Sequence, residues 1–440
     1  MARTVGIDTG GTFTDFIFRD EQGWRAFKLP STPADPARAV LEGLGELAAA
    51  GETVTEIVHG STVATNAALE GRGARVAFVT TEGFRDLLAL GRQARPSLYD
   101  LTQHAPAPLV DERLCLEARE RIGADGAVVL PLDLQQARTL PAVIAAGNAE
   151  AIAVCLLFSF LAPEHERALR DILAPTGLPV TLSCDVLPEH REYERAVATV
   201  LNASMIPVMQ GYLSRLLAAL SGRQLRIMQS SGGCAGAELA ARMPIHTLLS
   251  GPAGGVVAGA WAARATGQDH VVTFDMGGTS TDVSAYEGSC RVTGLAELGG
   301  RPLPVPVLDI HTVGAGGGSI ARRDAGGALA VGPQSAGADP GPAAYGRGSL
   351  PTVTDAHLVL GWLDPGRVAG GRVRPSPELA LESMERLGRD FDLDAMAVAE
   401  GVARVAETNM AGALWRITAE RGRDPRHFAL VAFGGAGPLH

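Results

Sequence analysis

The sequence predicts an α/β protein made of two related lobes. Three observations lead to that expectation. The pattern D-x-G-G-T-x-T-D is written twice, as Asp8-Thr9-Gly10-Gly11-Thr12-Phe13-Thr14-Asp15 and as Asp275-Met276-Gly277-Gly278-Thr279-Ser280-Thr281-Asp282. Each copy follows a short β-branched run, Thr4-Val5-Gly6-Ile7 and Val271-Val272-Thr273-Phe274, so a strand feeds a glycine turn. Strand and helix signals then alternate along the 440 residues, as they do in α/β chains.

Taken in order, Asp35 to Ala50 reads as a helix of alanine, leucine and glutamate, Glu56 to His59 as a strand and Thr62 to Glu70 as a helix. Arg75 to Thr80 reads as a strand, and the stretch from Phe84 to Asp100 is polar and arginine-rich. Ala151 to Phe160 is apolar on both faces and predicts a buried strand, with an amphipathic helix over Pro163 to Leu173. Glu189 to Leu220 is the longest helical candidate, which Pro207 is expected to kink or divide. The second half offers strands at Leu225 to Gln229 and Val271 to Phe274, then helices at Ser376 to Arg389 and Val398 to Arg421. The lobe boundary is expected between residues 185 and 195, giving lobes 1–188 and 189–440.

The repeat suggests a ligand through its charge. A nucleoside triphosphate brings several negative charges, so its site needs close backbone N–H groups, hydroxyl donors and a divalent cation held by carboxylates. Paired glycines let the main chain turn through positive φ and present successive amides to an oxyanion, and Thr12 and Thr279 add hydroxyls. Asp8 and Asp275 stand at strand ends, where a carboxylate repels bare phosphate but attracts Mg²⁺ with its water shell. One copy alone reads equally as a hairpin whose Asp and Thr satisfy their own turn. Two copies favour the phosphate reading.

Composition narrows the class further. A hydrophobic content of 46% against 20% charged is that of a globular protein, and the length suggests about two to four domains. A net charge of −10 argues against a nucleic-acid surface. Cys115, Cys155, Cys184, Cys234 and Cys290 are scattered, with no C-x-x-C pair, so a reducing cytosol is expected, with neither a disulfide framework nor a zinc ribbon. The chain enters its first glycine motif at once, leaving no room for a signal peptide, and the apolar run Ala151 to Leu161 is short of the ~20 residues a bilayer span needs.

Two like hairpins imply related lobes closing on one nucleotide, the duplicated ribonuclease-H-like plan that resembles actin, hexokinase and the heat-shock chaperones. Six further motifs narrow the resemblance. They are His59-Gly60-Ser61-Thr62-Val63-Ala64-Thr65-Asn66, Ser250-Gly251-Pro252-Ala253-Gly254-Gly255, Val313-Gly314-Ala315-Gly316-Gly317-Gly318-Ser319, Ser335-Ala336-Gly337-Ala338-Asp339-Pro340-Gly341-Pro342, Pro351-Thr352-Val353-Thr354-Asp355-Ala356 and Phe433-Gly434-Gly435-Ala436-Gly437-Pro438-Leu439-His440. Together with the repeat they resemble the hydantoinase/oxoprolinase A family, from residue 4 to the last. That resemblance implies an ATP-dependent cyclic amidohydrolase of the N-methylhydantoinase or 5-oxoprolinase type, using Mg²⁺ and working as an oligomer with a B-type partner subunit. Acetone- and acetophenone-type carboxylases are close relatives of that family, so an A-type carboxylase subunit stays open beside the hydrolase. A sugar or acetate kinase of the wider superfamily and a nucleotide-gated, non-enzymatic actin-like module are further alternatives. Against the family pattern the second lobe is expected to be cut short at its C-terminal end, Ala344 replaces a common cysteine, and His357 replaces a common asparagine.

Roles follow as expectations. Gly10, Gly11 and Thr12 with Gly277, Gly278 and Thr279 would cradle phosphates from opposite lobes, while Asp8 and Asp275 would hold hydrated Mg²⁺. Asp15 and Asp282 would orient the turn or serve simply as hairpin caps. Gly434, Gly435 and Gly437 would let a helix N-terminus approach the adenosine side, and Gly314, Gly316, Gly317 and Gly318 would do related work. On the substrate side His59, Thr62, Thr65, Asn66, Arg92 and Arg95 could bind a carboxylate or ring amide, with a structural role the equal alternative for His59 and the favoured one for the arginines. Asp309 and His311 are candidates to touch metal or substrate, but no His and Asp set has transition-metal spacing.

Overall fold

The computed structural model describes residues 3–10, 13–32, 34–94, 99, 107–220, 222–368 and 374–440. It is an α/β protein with mixed sheets. A six-stranded sheet has the order Cys234–Gly236, Gln224–Met228, Val54–Ser61, Arg3–Thr9, Phe13–Asp20, Gly23–Pro30. Its last three strands are antiparallel, and Gln224–Met228 runs parallel to Val54–Ser61. A four-stranded sheet has the order His311–Val313, Thr281–Glu287, His270–Met276, Ala429–Phe433. Three of its strands are antiparallel, and the fourth lies parallel to His270–Met276. Both sheets therefore set the repeat hairpin's first strand inside, a third antiparallel strand on one flank and a later strand on the other.

Contacts divide the chain into two compact units that interleave in sequence. One holds Met1–Thr4, Ala34–Ser250 and Thr293–Val307, and the other holds Val5–Pro33, Gly251–Val292 and Leu308–His440. Both repeat hairpins belong to the second unit, a grouping different from the expected 1–188 and 189–440 lobes.

The first unit contains a wholly parallel sheet, Val180–Leu182, Ala151–Cys155, Val76–Thr81, Cys115–Ala118. Val76–Thr81 and Ala151–Cys155 are buried along their whole length, which explains why they read as unbroken apolar runs. The expected strand Ala151 to Phe160 stops at Cys155. Leu156 instead donates its N–H to Glu166, and Phe158 takes a positive φ of 55°. Glu192–Leu220 is one helix through Pro207, not two. It is long and apolar enough to cross a membrane, but 72% of its apolar window is buried, as in a core helix. Its Arg195 is buried and donates to the Leu156 carbonyl at 2.9 Å and Ser183 Oγ at 2.6 Å, 3.9 Å from the buried Glu166.

The second unit packs both helices read near its C-terminal end. Pro377–Arg389 is capped by Ser376, and Ala395–Ile417 by Asp394, each side chain accepting an N–H of the first turn. Val398, Val402, Ala406, Met410, Ala413 and Ile417 recur every three to four residues and bury one stripe against Phe274, Met276 and Val283 of the second hairpin.

Buried and exposed ion pairs give a test of these energetics. Glu166→Ala leaves Arg195 buried without its counter-charge and should cost about 3–5 kcal/mol. Arg92→Ala removes an exposed pair with Glu194 and should cost under about 1 kcal/mol. Urea denaturation followed by circular dichroism measures both.

Candidate functional site

The site is built in the second unit from the two hairpins. Each turn is closed by the same bond, Gly10 N–H to the Phe13 carbonyl and Gly277 N–H to the Ser280 carbonyl, both at 3.0 Å. Gly11 and Thr12 lie outside the described residues. In the second copy Gly278 and Thr279 form the exposed tip. Neither Gly277 nor Gly278 has the positive φ that the paired glycines suggested. Their value is openness, since a methyl group on Gly278 would touch nothing. The carbonyls of Gly277 and Gly278 accept from Gly317 N–H at 3.0 Å and Gly318 N–H at 2.6 Å, which ties the tip's acceptors backwards. Among the described residues, the Gly278 and Thr279 amides meet no acceptor. Such uncovered donors suit an anion.

The four aspartates are paired by register. Asp8 stands directly opposite Asp15, and Asp275 directly opposite Asp282. Like charges so placed repel. In each pair the second aspartate is tethered to the next strand, Asp15 by Lys28 Nζ at 2.9 Å and Asp282 by the Thr312 hydroxyl. Asp15 and Asp282 thus brace the sheet. The first aspartates have no hydrogen-bond or ion-pair partner among the described residues. Burial, then Asp15, pushes the Asp8 carboxyl up to about 6. Asp8 nevertheless keeps solvent access. Burial, then Asp282, then the charge of Asp8, pushes Asp275 up to about 6.

The remaining glycines take different roles. Gly316 and Gly317 are buried, and their amides already serve Ser319 Oγ and the Gly277 carbonyl, so they support the tip instead of facing a ligand. Gly314 packs on Pro333. Gly434 and Gly435 are exposed at the end of strand Ala429–Phe433, and Gly434 has φ +84°. A methyl on Gly434 would meet the Met276 carbonyl at 2.5 Å and Asp275 Oδ1 closer still. Gly437 is buried and opens the three-residue 3₁₀ turn Gly437–Leu439. Gly255, given no role from sequence, flanks the other Asp275 oxygen, its own methyl position lying 3.5 Å from Oδ2.

The tentative substrate residues belong to the first unit or fall outside the description. His59 is buried, its Nε2 2.6 Å from the Tyr212 hydroxyl. Thr62 accepts from Asn66 at 3.2 Å, and Thr65 accepts the Leu249 N–H at 3.0 Å. Arg92 forms a two-pronged pair with Glu194, and Arg95 lies outside the described residues. These contacts favour structural roles. Asp309 is engaged by Arg421, and burial together with Arg416 and Arg421 lowers the His311 pKa. Among the described residues no three His, Cys, Asp or Glu side chains are grouped to hold a metal directly.

An α/β protein with doubled acidic hairpins and a glycine-lined carboxylate is the class this geometry defines. The hydantoinase/oxoprolinase family pattern matches residues 195–440, and that of the family's N-terminal region matches residues 4–177. The chain belongs to the hydantoinase/oxoprolinase family. Caprolactamase subunit alpha of Pseudomonas jessenii is 38% identical over 99% of this chain and 66% of its own length. The crystal structure of ATP-dependent caprolactamase from that organism matches with a TM-score of 0.88 at 35% identity, over 99% of this chain and 66% of that one. A nucleotide-free structure of acetone carboxylase, from work on ATP-dependent acetone carboxylation, matches with a TM-score of 0.82 at 28% identity, over 100% of this chain and 66% of that one. This chain therefore spans about two thirds of the length of these relatives.

The raised carboxyls predict a pH dependence. With folded values near 6 against an ordinary 3.8, the folded state holds these protons more tightly than the unfolded chain does. Their stabilising contribution is complete below pH 3.8 and is lost as pH rises through 6. In metal-free buffer, the Asp275→Asn variant should therefore gain stability over the parent protein as pH rises from 4 to 7, and denaturation midpoints across that range measure the difference.

Proposed function

We propose that this chain is the A-type subunit of a two-component enzyme that hydrolyses a cyclic amide at the expense of ATP. Supporting it most directly are two carboxylates, Asp8 and Asp275, that have no side-chain partner among the described residues, with the charge of Asp8 acting on Asp275, together with the uncovered amides of Gly278 and Thr279 at the second tip. Two crowded, unneutralised carboxylates fit a hydrated divalent cation, and free amides with a threonine hydroxyl fit phosphate oxygens. Mg²⁺ bound there would neutralise charge on the phosphates. In this reading the two sheets with like strand order are ribonuclease-H-like lobes of the actin type, and the nucleotide lies against both hairpins.

The chemistry addresses the inertness of an amide. Resonance makes a ring amide a poor electrophile. Transfer of the γ-phosphoryl group to the carbonyl oxygen gives an imidate-like phosphate ester and ADP. Water then adds at the carbon, the C–N bond breaks as the ring nitrogen leaves as an amine, and a second water hydrolyses the acyl phosphate so formed to a carboxylate and free phosphate. Asp8 and Asp275 would hold the cation, while the Gly278 and Thr279 amides would stabilise the moving phosphoryl charge. The caprolactamase likeness, at the higher identity and TM-score, favours a lactam or hydantoin over a ketone. The acetone carboxylase likeness, across all of this chain, supports a carboxylase subunit as the second reading. The word subunit in the caprolactamase name supports a partner, here a B-type chain. The five free cysteines suit a reducing cytosol.

ADP release from the natively purified protein, screened across lactams, hydantoins and ketones with and without bicarbonate, separates the readings. Lactam- or hydantoin-stimulated, bicarbonate-independent release with ring opening is expected; bicarbonate dependence would move the chain to the carboxylases. Asp275→Asn should lower turnover at least ~100-fold with an unchanged melting temperature or a raised one. Undiminished turnover in that variant would remove Asp275 from the site.

A further inference from the structure

The Pro351-Thr352-Val353-Thr354-Asp355-Ala356 motif has so far been given no role. It opens helix Val353–Val359 with a reciprocal cap, in which the Thr352 hydroxyl accepts from Asp355 N–H while the Asp355 carboxylate accepts from Thr352 N–H. Asp355 is fully buried and also accepts from the amides of Ala343 at 3.3 Å and Ala344 at 2.8 Å. The helix start is thus pinned from two directions. One residue before that carboxylate, Thr354 donates both its N–H, at 2.7 Å, and its hydroxyl, at 2.8 Å, to the Gly317 carbonyl. Gly317 in turn donates its own N–H to Gly277 at 3.0 Å.

The relay therefore runs from the Asp355 cap through Thr354 and Gly317 to the hairpin tip. Its parts are close-packed. A methyl on Gly316 would lie 2.7 Å from Gly278 main-chain atoms, and one on Gly317 would lie 2.8 Å from Thr354 Oγ1. Where backbone meets backbone without side-chain padding, a shift of a few tenths of an ångström at Thr354 passes directly to the tip.

We propose that Thr354 is a positioning residue: by gripping Gly317 it sets where the Gly278 and Thr279 amides stand, and so governs the rate of phosphoryl transfer more than nucleotide affinity. The kinetic half of this rests on the nucleotide function above; the grip on the tip does not. Thr354→Val keeps the shape and the N–H bond but removes the hydroxyl bond.

Two readouts test the inference on the protein in the assembly that turns ATP over. Thr354→Val should lower kcat for ATP about 10- to 100-fold while KM for ATP stays within about twofold, and Thr354→Ser should restore most of the rate. Hydrogen exchange at the bonded amides of Gly277, Gly317 and Gly318, which close and tie the tip, should quicken about tenfold in Thr354→Val at an unchanged melting midpoint. Should that variant fold poorly, Gly317→Ala, which forces the same contact apart, must show the same quickened exchange. Unchanged exchange, or parallel losses in affinity and melting temperature, would overturn the inference. A parent protein that neither binds nor hydrolyses Mg-ATP would sink the nucleotide function, while quickened exchange would still uphold the grip.

Discussion

Like charges facing each other across an antiparallel ladder are the constraint on which the rest of this structure turns. Asp8 opposes Asp15, and Asp275 opposes Asp282. A cross-strand pair is worth only about 0.2–1 kcal/mol, so a fold can tolerate two unfavourable ones if its core supplies the difference. The tolerance is unevenly shared. Lys28 and Thr312 tether the outer aspartates, while the inner two have no side-chain partner among the described residues and Asp275 stands in the field of Asp8. A sheet optimised for stability alone would have replaced one member of each pair. Retaining both fits the proposed reading, in which a cation or proton completes the arrangement.

The two copies of the pattern are held by unrelated means. The first turn is tied by Ser31, whose hydroxyl donates to the Gly10 carbonyl at 2.7 Å and lies 3.1 Å from the Thr14 hydroxyl. The second is tied by main-chain bonds from Gly317 and Gly318. One hydroxyl from the neighbouring strand does for one hairpin what a packed glycine loop does for the other. Repetition in sequence fixed the turn and its charges, while the supports came from whatever chain happened to lie behind.

That difference marks how far the sequence could be read. The repeat, the alternation of elements and the last two long helices are local patterns, and they were legible, although the final one runs from Ala395 to Ile417 where Val398 to Arg421 was expected. Contacts between distant residues were not. Nothing near His59 signals Tyr212, 153 residues on, and nothing near Arg92 signals Glu194, 102 residues on. With their partners invisible, His59 stayed open between a structural and a ligand role, and Arg92 could only be leaned toward structure. The strand from Ala151 was overrun for a related reason. Its apolar run continues through Phe160, but the Leu156 N–H turns to Glu166, a residue whose buried role shows only in three dimensions.

Glycine is where pattern and geometry part most clearly. A glycine-rich motif reads the same whether it uncovers a peptide or lets two backbones touch. Exposure separates the cases here: Gly278 is open to solvent, whereas Gly316 and Gly317 are buried against the tip they support. Gly434 belongs to both classes, exposed on one side and pressed against Asp275 on the other. Gly255 lies beside the second oxygen, so both carboxylate oxygens of Asp275 are approached by glycine main chain, where a side chain on Gly434 would collide with the first. The glycines that flank an acidic residue can therefore matter to it as much as any neighbouring side chain, by leaving its oxygens room.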